Sequence, residues 1–222
     1  MSFNIMKTTK LILTALLGLF INVASAENFS LGTKYTSDYF YRGALQAQES
    51  IQVDLGMSGE VSGLGYSVGA FTNQSVNSGV DSYILTGGVS KSFLDSLLDV
   101  YAGLNHVENV AGEAALEGHI GVSVDTLLNP SFSLFRQLDD SLYTYELSVS
   151  HGFDLEVCNL NVLGSLGNTD VSNSADNTYY TIGLEASRSL GENSSIGVDL
   201  FRVDSETIGE EYVVGLGIST RF

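Results

Sequence analysis

The chain is poor in cysteine, proline, tryptophan and basic residues. Its 222 residues include one Cys, one Pro and no Trp, and 9 Lys and Arg stand against 26 Asp and Glu. A single cysteine excludes an internal disulfide framework and a zinc site built from several cysteines. Nucleic-acid binding needs a basic face, so a formal charge of −17 argues against a nucleic-acid partner.

Long hydrophobic runs are also missing, except near the N-terminus. After residue 26, Gly, Ser, Asn and Asp interrupt every apolar stretch before it reaches the roughly 18 residues of a spanning helix. The first 26 residues combine Lys7 and Lys10, an apolar run over 11–23 and small residues over 24–26. This is the pattern of a secretory signal peptide. We expect export with cleavage after Ala26; a permanent N-terminal anchor is the alternative.

The remaining chain alternates apolar and polar residues, which predicts half-buried strands. In the last segment, for example, Val214, Leu216 and Ile218 fall on one face, and Gly215 and Gly217 fall on the other. The same period predicts twelve strands near 28–40, 50–58, 63–72, 82–92, 97–107, 113–125, 130–138, 142–152, 157–167, 178–188, 195–203 and 212–222. Longer polar connections near 41–49, 73–81, 108–112, 168–177 and 204–211 alternate with mostly shorter ones, with the connection near 139–141 as the exception.

These strands favour a transmembrane antiparallel up-and-down β-barrel of about 12 strands over residues 27–222. In lipid every backbone polar group needs an internal partner, which strands achieve only by closing into a ring. Aromatic girdles are typical of such barrels. We place Phe29, Tyr39, Tyr66, Tyr83, Tyr180, Tyr212 and Phe222 on the apolar faces toward strand ends. A secreted β-sandwich or lipocalin-like barrel is the alternative, because short alternating strands fit it too.

The polar faces carry charges that a dry protein core could not bury unpaired, whereas a wet lumen can hold them. The residues expected to face the lumen are Lys34, Asp54, Asp99, Glu117, His119, Glu146, Glu185, Asp199 and Arg221. Asp38 and Arg42 stand four residues apart near the end of the first strand, so we expect an ion pair on one face near the mouth. It would act either as a clamp between loop and wall or as a constriction.

Residues 35–43 read YTSDYFYRG, and Gln52 and the segment 65–71 (GYSVGAF) follow. This pattern over about residues 30–73 resembles the D-Y-x-x-R-G signature of the Gcw_chp or TorF-like family of outer-membrane proteins. The chain lacks that family's usual Pro before the second strand and has Phe71 where Trp is common. The last strand, with Phe222 at its end and Tyr212 ten residues earlier, resembles the C-terminal signal that the barrel assembly machinery recognises. The resemblance implies an outer-membrane barrel in a Gram-negative bacterium, without catalytic residues to carry over.

We therefore expect a narrow porin-like channel for small solutes that prefers cations or neutral molecules, since acids dominate the lumen list. The alternative is a structural or surface-interaction barrel whose acidic outer segments bind a partner or divalent cations bridging lipopolysaccharide. A lipid-modifying enzyme is the third hypothesis; it would need one of His106, His119 and His151 beside a nucleophile. No catalytic residue, cofactor or metal site is expected.

Overall fold

A computed structural model describes residues 28–109, 114–140, 142–170 and 176–222 as an all-β structure. The twelve strands are β1 (Asn28–Tyr41), β2 (Ala44–Val61), β3 (Leu64–Gly79), β4 (Ser82–Phe93), β5 (Leu98–Asn109), β6 (Ala114–Val124), β7 (Ser131–Gln137), β8 (Tyr143–Asp154), β9 (Asn159–Thr169), β10 (Asn177–Ser189), β11 (Ser194–Ser205) and β12 (Gly209–Arg221). The expected signal peptide over 1–26 lies outside the described residues and stays a prediction.

The strands close into one barrel in which every neighbour in sequence is also a neighbour in space. Closure is made by β1 and β12, which pair antiparallel from Ser30 opposite Arg221 to Thr36 opposite Gly215. The ring leaves no unpaired sheet edge, so backbone groups are satisfied within the wall. The predicted antiparallel barrel of about 12 strands is confirmed. None of the described residues form a helix long and apolar enough to cross a membrane.

The period of two gives the wall an apolar outward face and a more polar inward face. On β8 and its neighbours, Leu147 is paired with Phe132 and Leu166 on the outward face. These three side chains are 43–53% exposed. The next residue, Ser148, pairs with Ser131 and Ser165 on the inward face. The largest fully buried side chains are polar: Asn73, Thr36 and Ser50. This pattern is the reverse of a soluble core.

The wall of the barrel is extended at one end by the long strands β1, β2 and β3. We call the end that holds Asn28 and Phe222 the terminal end and the opposite one the far end. At the far end the expected long connections over 41–49 and 73–81 are wrong, because both segments lie largely within β1, β2 and β3. Only Arg42 and Gly43 separate β1 from β2. Backbone pairing thus extends polar residues into a tall wall where composition alone indicated loops.

The aromatic residues divide between the two faces. Phe29 and Phe222 meet at the terminal end with ring centroids 5.7 Å apart, and Tyr180 and Tyr212 face outward toward the far end. The placement of Tyr39 on the apolar face is wrong: its ring lies 5.5 Å from that of the inward-facing Phe71. A shift in the pairing of β1 with β2 between Tyr39 and Phe40 interrupts the simple alternation there. Such a bulge turns side chains toward the other face of a strand.

Candidate functional site: the lumen of the barrel

Strand register places the candidate charges on the inner wall toward both ends of the barrel. Toward the terminal end are Lys34, Asp54, Asp99, Glu185, Asp199 and Arg221; toward the far end are Asp38, Glu117, His119 and Glu146, with Arg42 in the turn above them. Asp154, which was not among the candidates, also faces inward, opposite Asn159. Acids outnumber bases along the whole height of the inner wall.

A cavity of about 570 Å³ opens on the inner wall of β8 to β11 toward the terminal end. Its lining includes Asp154, Glu185 and Asp199 together with Asn159 and Asn161. Asn161 donates a hydrogen bond of 2.9 Å to Glu185. The carboxylates give this part of the lumen a negative potential in a confined space, which raises the local concentration of cations.

Lys34 is the base that reaches into this acidic region. Its Nζ donates to the Asp199 carboxylate at 3.0 Å, and a second cavity lined by Lys34, Asp54 and Asp199 lies beside it. The Lys34 side chain is 35% exposed, so the pair is solvated and contributes little to stability. Its main effect is to neutralise one of the carboxylates.

Aromatic side chains narrow the lumen between its two ends. The Tyr101 hydroxyl and the Ser133 hydroxyl lie 2.7 Å apart across the space between β5 and β7. The His119 ring lies between two aromatic rings, with centroids 6.3 Å from Tyr101 and 5.7 Å from Phe135. These rings on β5, β6 and β7 occupy part of the cross-section of the lumen.

Arg42 makes the closest ion pair in the lumen, and its partner is not the expected Asp38. The Arg42 guanidinium donates to the Glu117 carboxylate at 2.6 Å and lies 3.2 Å from the centroid of the Phe135 ring. Asn105 donates to the same Glu117 oxygen at 2.8 Å. The predicted pair with Asp38 is wrong: beyond the irregular pairing of β1 with β2, and with a positive φ of 53°, Arg42 extends its side chain across the lumen to Glu117.

Gly43, next to Arg42, contacts another part of the inner wall, at Tyr179 on β10. A Cβ atom at Gly43 would lie 2.5 Å from the ring of Tyr179 on β10, so the turn backbone packs directly against that ring. Tyr179 is 4% exposed, and its hydroxyl donates to Glu146 at 2.9 Å. The turn of Arg42 and Gly43 therefore touches β6, β7 and β10 from its own position between β1 and β2.

Sequence reasoning missed Phe135, Tyr179 and Asn105 because it searched the inner face for charges alone. Alternation within β7 could have found Phe135, since it stands next to the outward Leu134, which pairs with Tyr145. The left-handed turn at Arg42 had a weaker signal, the Gly at position 43. No sequence signal pointed to the contacts across the barrel.

The histidines do not form a site with one another. His106 and His151 face outward, and His106 contacts Glu108 at 3.3 Å whereas the His151 ring contacts the carbonyl oxygen of Leu127 at 2.6 Å. His119 faces the lumen. Within the described ranges, no group of three or more His, Cys, Asp or Glu side chains is placed to hold a metal ion. Cys158 is a free thiol in the turn before β9.

No protein-family model matches the chain, and no curated sequence matches it. The resemblance to the Gcw_chp or TorF-like family stays a prediction. The likeness appears in solved structures. The KdgM porin in complex with disordered oligogalacturonate superposes with a TM-score of 0.61 at 11% identity, covering 87% of this chain and 99% of that one.

Two further barrels have similar coverage. The COG4313 outer membrane channel from Pseudomonas putida F1 has a TM-score of 0.60 at 10% identity and covers 89% of this chain and 96% of its own. LpxR from Salmonella typhimurium has a TM-score of 0.54 at 11% identity, covering 87% and 99%. At such low identity these comparisons establish the fold alone: this chain has the closed antiparallel barrel architecture of solved outer-membrane proteins.

Proposed function

We propose that the protein is an outer-membrane β-barrel of a Gram-negative bacterium and a narrow porin-like channel for small solutes, with a preference for cations or neutral molecules. The observation that carries the proposal is the arrangement of the two faces. A closed wall with outward leucines, valines and isoleucines and an acidic interior suits a ring that stands in lipid and encloses water.

The location rests on the same wall and on the N-terminal pattern. During export, cleavage after Ala26 would remove residues 1–26. The terminal end would then face the periplasm, because strands insert from the periplasmic side and both chain ends stay there. Phe222 would act as the signal for the barrel assembly machinery. Outer-membrane lipid and lipopolysaccharide would surround the apolar face.

The selectivity follows from the charges that line the lumen. Rings and clusters of carboxylates favour cations in a pore, and Asp154, Glu185 and Asp199 line the cavity of about 570 Å³ on the inner wall. Twelve strands stand between the roughly eight that leave an interior filled by side chains and the sixteen of open porins. This intermediate size fits passage of small molecules and ions. The KdgM porin structure holds an oligogalacturonate, a polyanion, but an acidic lumen is poorly suited to such a solute.

A structural or surface-interaction barrel is the second candidate, and the contact of the Arg42 turn with the opposite wall favours it. LpxR shares the barrel architecture at 11% identity, and at such identity the fold does not choose between these roles. The acidic segments that would form such a partner site contain Glu108, Glu113, Asp204, Glu206, Glu210 and Glu211. Glu113 lies outside the described residues, and Glu210 is already paired with Arg202 at 2.8 Å.

The experiment is a bilayer recording on the full chain, exported in a Gram-negative host and purified in detergent from the outer-membrane fraction. A KCl gradient across a planar bilayer should give discrete conductance steps with a reversal potential of cationic sign. The variant Glu185→Gln should reduce that preference, whereas Glu192→Gln, in an exposed turn, should change it less because exposed charges are screened within about 10 Å at 0.1 M salt. An anionic reversal potential would contradict the selectivity. Absence of steps in every protein tested would contradict the channel.

A further inference from the structure

We propose that the turn of Arg42 and Gly43, here called the crossing turn, is the constriction of the lumen and that the Arg42–Glu117 ion pair latches it. This inference rests on the proposed channel function and adds the residues that set how much of the lumen is open. It starts from strand order. β1 is separated from β6 by β2, β3, β4 and β5, and from β7 by one strand more. In a ring of twelve, β7 stands opposite β1.

Contacts from the crossing turn to β6 and β7 therefore span the lumen rather than follow the wall. Arg42 reaches Glu117 on β6 and the ring of Phe135 on β7. On the other side of the ring, Gly43 packs against Tyr179 on β10. A segment held at three points around the circle must occupy the opening between them.

The crossing turn is built for this position. Both its residues have positive φ, 53° at Arg42 and 73° at Gly43, as in the two-residue type I′ turns that join paired strands tightly. A positive φ is uncommon for an arginine, and such conformations persist where surrounding contacts hold them. A Cβ at position 43 would overlap the Tyr179 ring, so glycine is required there for the close approach as well as for the backbone angle.

The latch is stronger than the other lumen pair because it is less solvated. The Arg42 and Glu117 side chains are 14% and 11% exposed, against 35% for Lys34. The guanidinium also stacks on Phe135, and a cation gains from a ring face, the more so away from water. Asn105 fixes the carboxylate from a second direction. The ion pair with Glu117 and the stacking on Phe135 both hold the turn across the opening. Neutralising Glu117 would remove the attraction between the two charges.

The test compares conductance of the wild-type chain, Glu117→Gln, Arg42→Ala and the double variant. Heat-modifiable gel migration first establishes that each forms a closed barrel. A hydrogen bond between charged partners stabilises by an amount that corresponds to roughly a 10- to 100-fold change in the ratio of closed to open turn. Each single variant should therefore raise mean conductance. The double variant should add little to either single one, since both changes break the same contact.

Two further variants make the result specific. Arg42→Lys keeps the charge but loses the planar stacking on Phe135, so its conductance should fall between wild type and Arg42→Ala. Glu192→Gln removes a carboxylate in an exposed turn outside the lumen and should leave mean conductance nearly unchanged. Equal conductance in wild type, Glu117→Gln and Arg42→Ala, with channels present in all, would overturn the latch but leave the channel intact. A closed wild type opened by Glu117→Gln would support the latch. No conductance in any variant would overturn both.

Discussion

A charged residue introduced on the outward face should lower the stability of the barrel strongly only if that face lies in lipid. Leu147 and Ser148 provide a matched pair, because they are adjacent near the middle of β8 and face opposite ways. Leu147 lies outward between Phe132 and Leu166, and Ser148 lies inward between Ser131 and Ser165. Replacing each by arginine adds the same side chain to the same strand at nearly the same height.

Arginine on the lipid face of a barrel costs about 2–4 kcal/mol at the bilayer midplane and about 0–1 kcal/mol near the interfaces. Leu147 is the fifth of the twelve residues of β8 and so lies away from both strand ends. Leu147→Arg should therefore lower the free energy of unfolding by about 2–4 kcal/mol. Ser148→Arg places the guanidinium among small polar side chains in an acidic lumen. Its effect should stay within about 1 kcal/mol, because the head group remains in water.

The assay is reversible unfolding in guanidinium with phosphatidylcholine vesicles present, followed by heat-modifiable migration on gels. The chain has no Trp, so migration is a more direct readout than intrinsic fluorescence. A secreted barrel with a water-facing exterior predicts the opposite order. There, Leu147→Arg would change stability by no more than about 0.5 kcal/mol, as most surface substitutions do. Equal stability of the two variants in vesicles would refute the assignment of the apolar face to lipid.

Two further predictions concern single positions. Gly121→Ala would place a Cβ 2.2 Å from the Tyr101 ring, so it should destabilise the barrel by about 1–3 kcal/mol through overpacking; Gly152→Ala, with nothing within 4 Å of the added atom, should be nearly neutral in the same unfolding assay. Phe222→Ala should lower the amount of folded barrel in isolated outer membranes several-fold, whereas Phe93→Ala, also an exposed aromatic at the terminal end, should not. Quantitative gels of heat-modifiable protein report both amounts, and equal loss in the two variants would contradict a role for Phe222 in assembly.

Sequence alone was sufficient for the number of strands and for most of their faces. Both depend on a local rule, the alternation of side chains along an extended chain. The segment 113–125 was read correctly for this reason: Leu116, Ile120 and Val122 face outward from β6, and Glu117 and His119 face inward. The closed ring did not follow from this rule alone, because short alternating strands also fit a β-sandwich; it was predicted from the aromatic residues, the charged inner faces and the resemblance of the last strand to an assembly signal.

What the tertiary structure decided were the exceptions to alternation and the contacts across the barrel. Tyr39 faces inward next to an irregularity in the pairing of β1 with β2. Continued pairing makes most of the polar segments 41–49 and 73–81 part of tall strands. The partner of Arg42 depended on ring closure, since Glu117 lies 75 residues away in sequence. Local periodicity contains no information about which strands stand opposite each other. That relation exists only once the sheet has curved and closed, and it brings the Arg42 turn to Glu117.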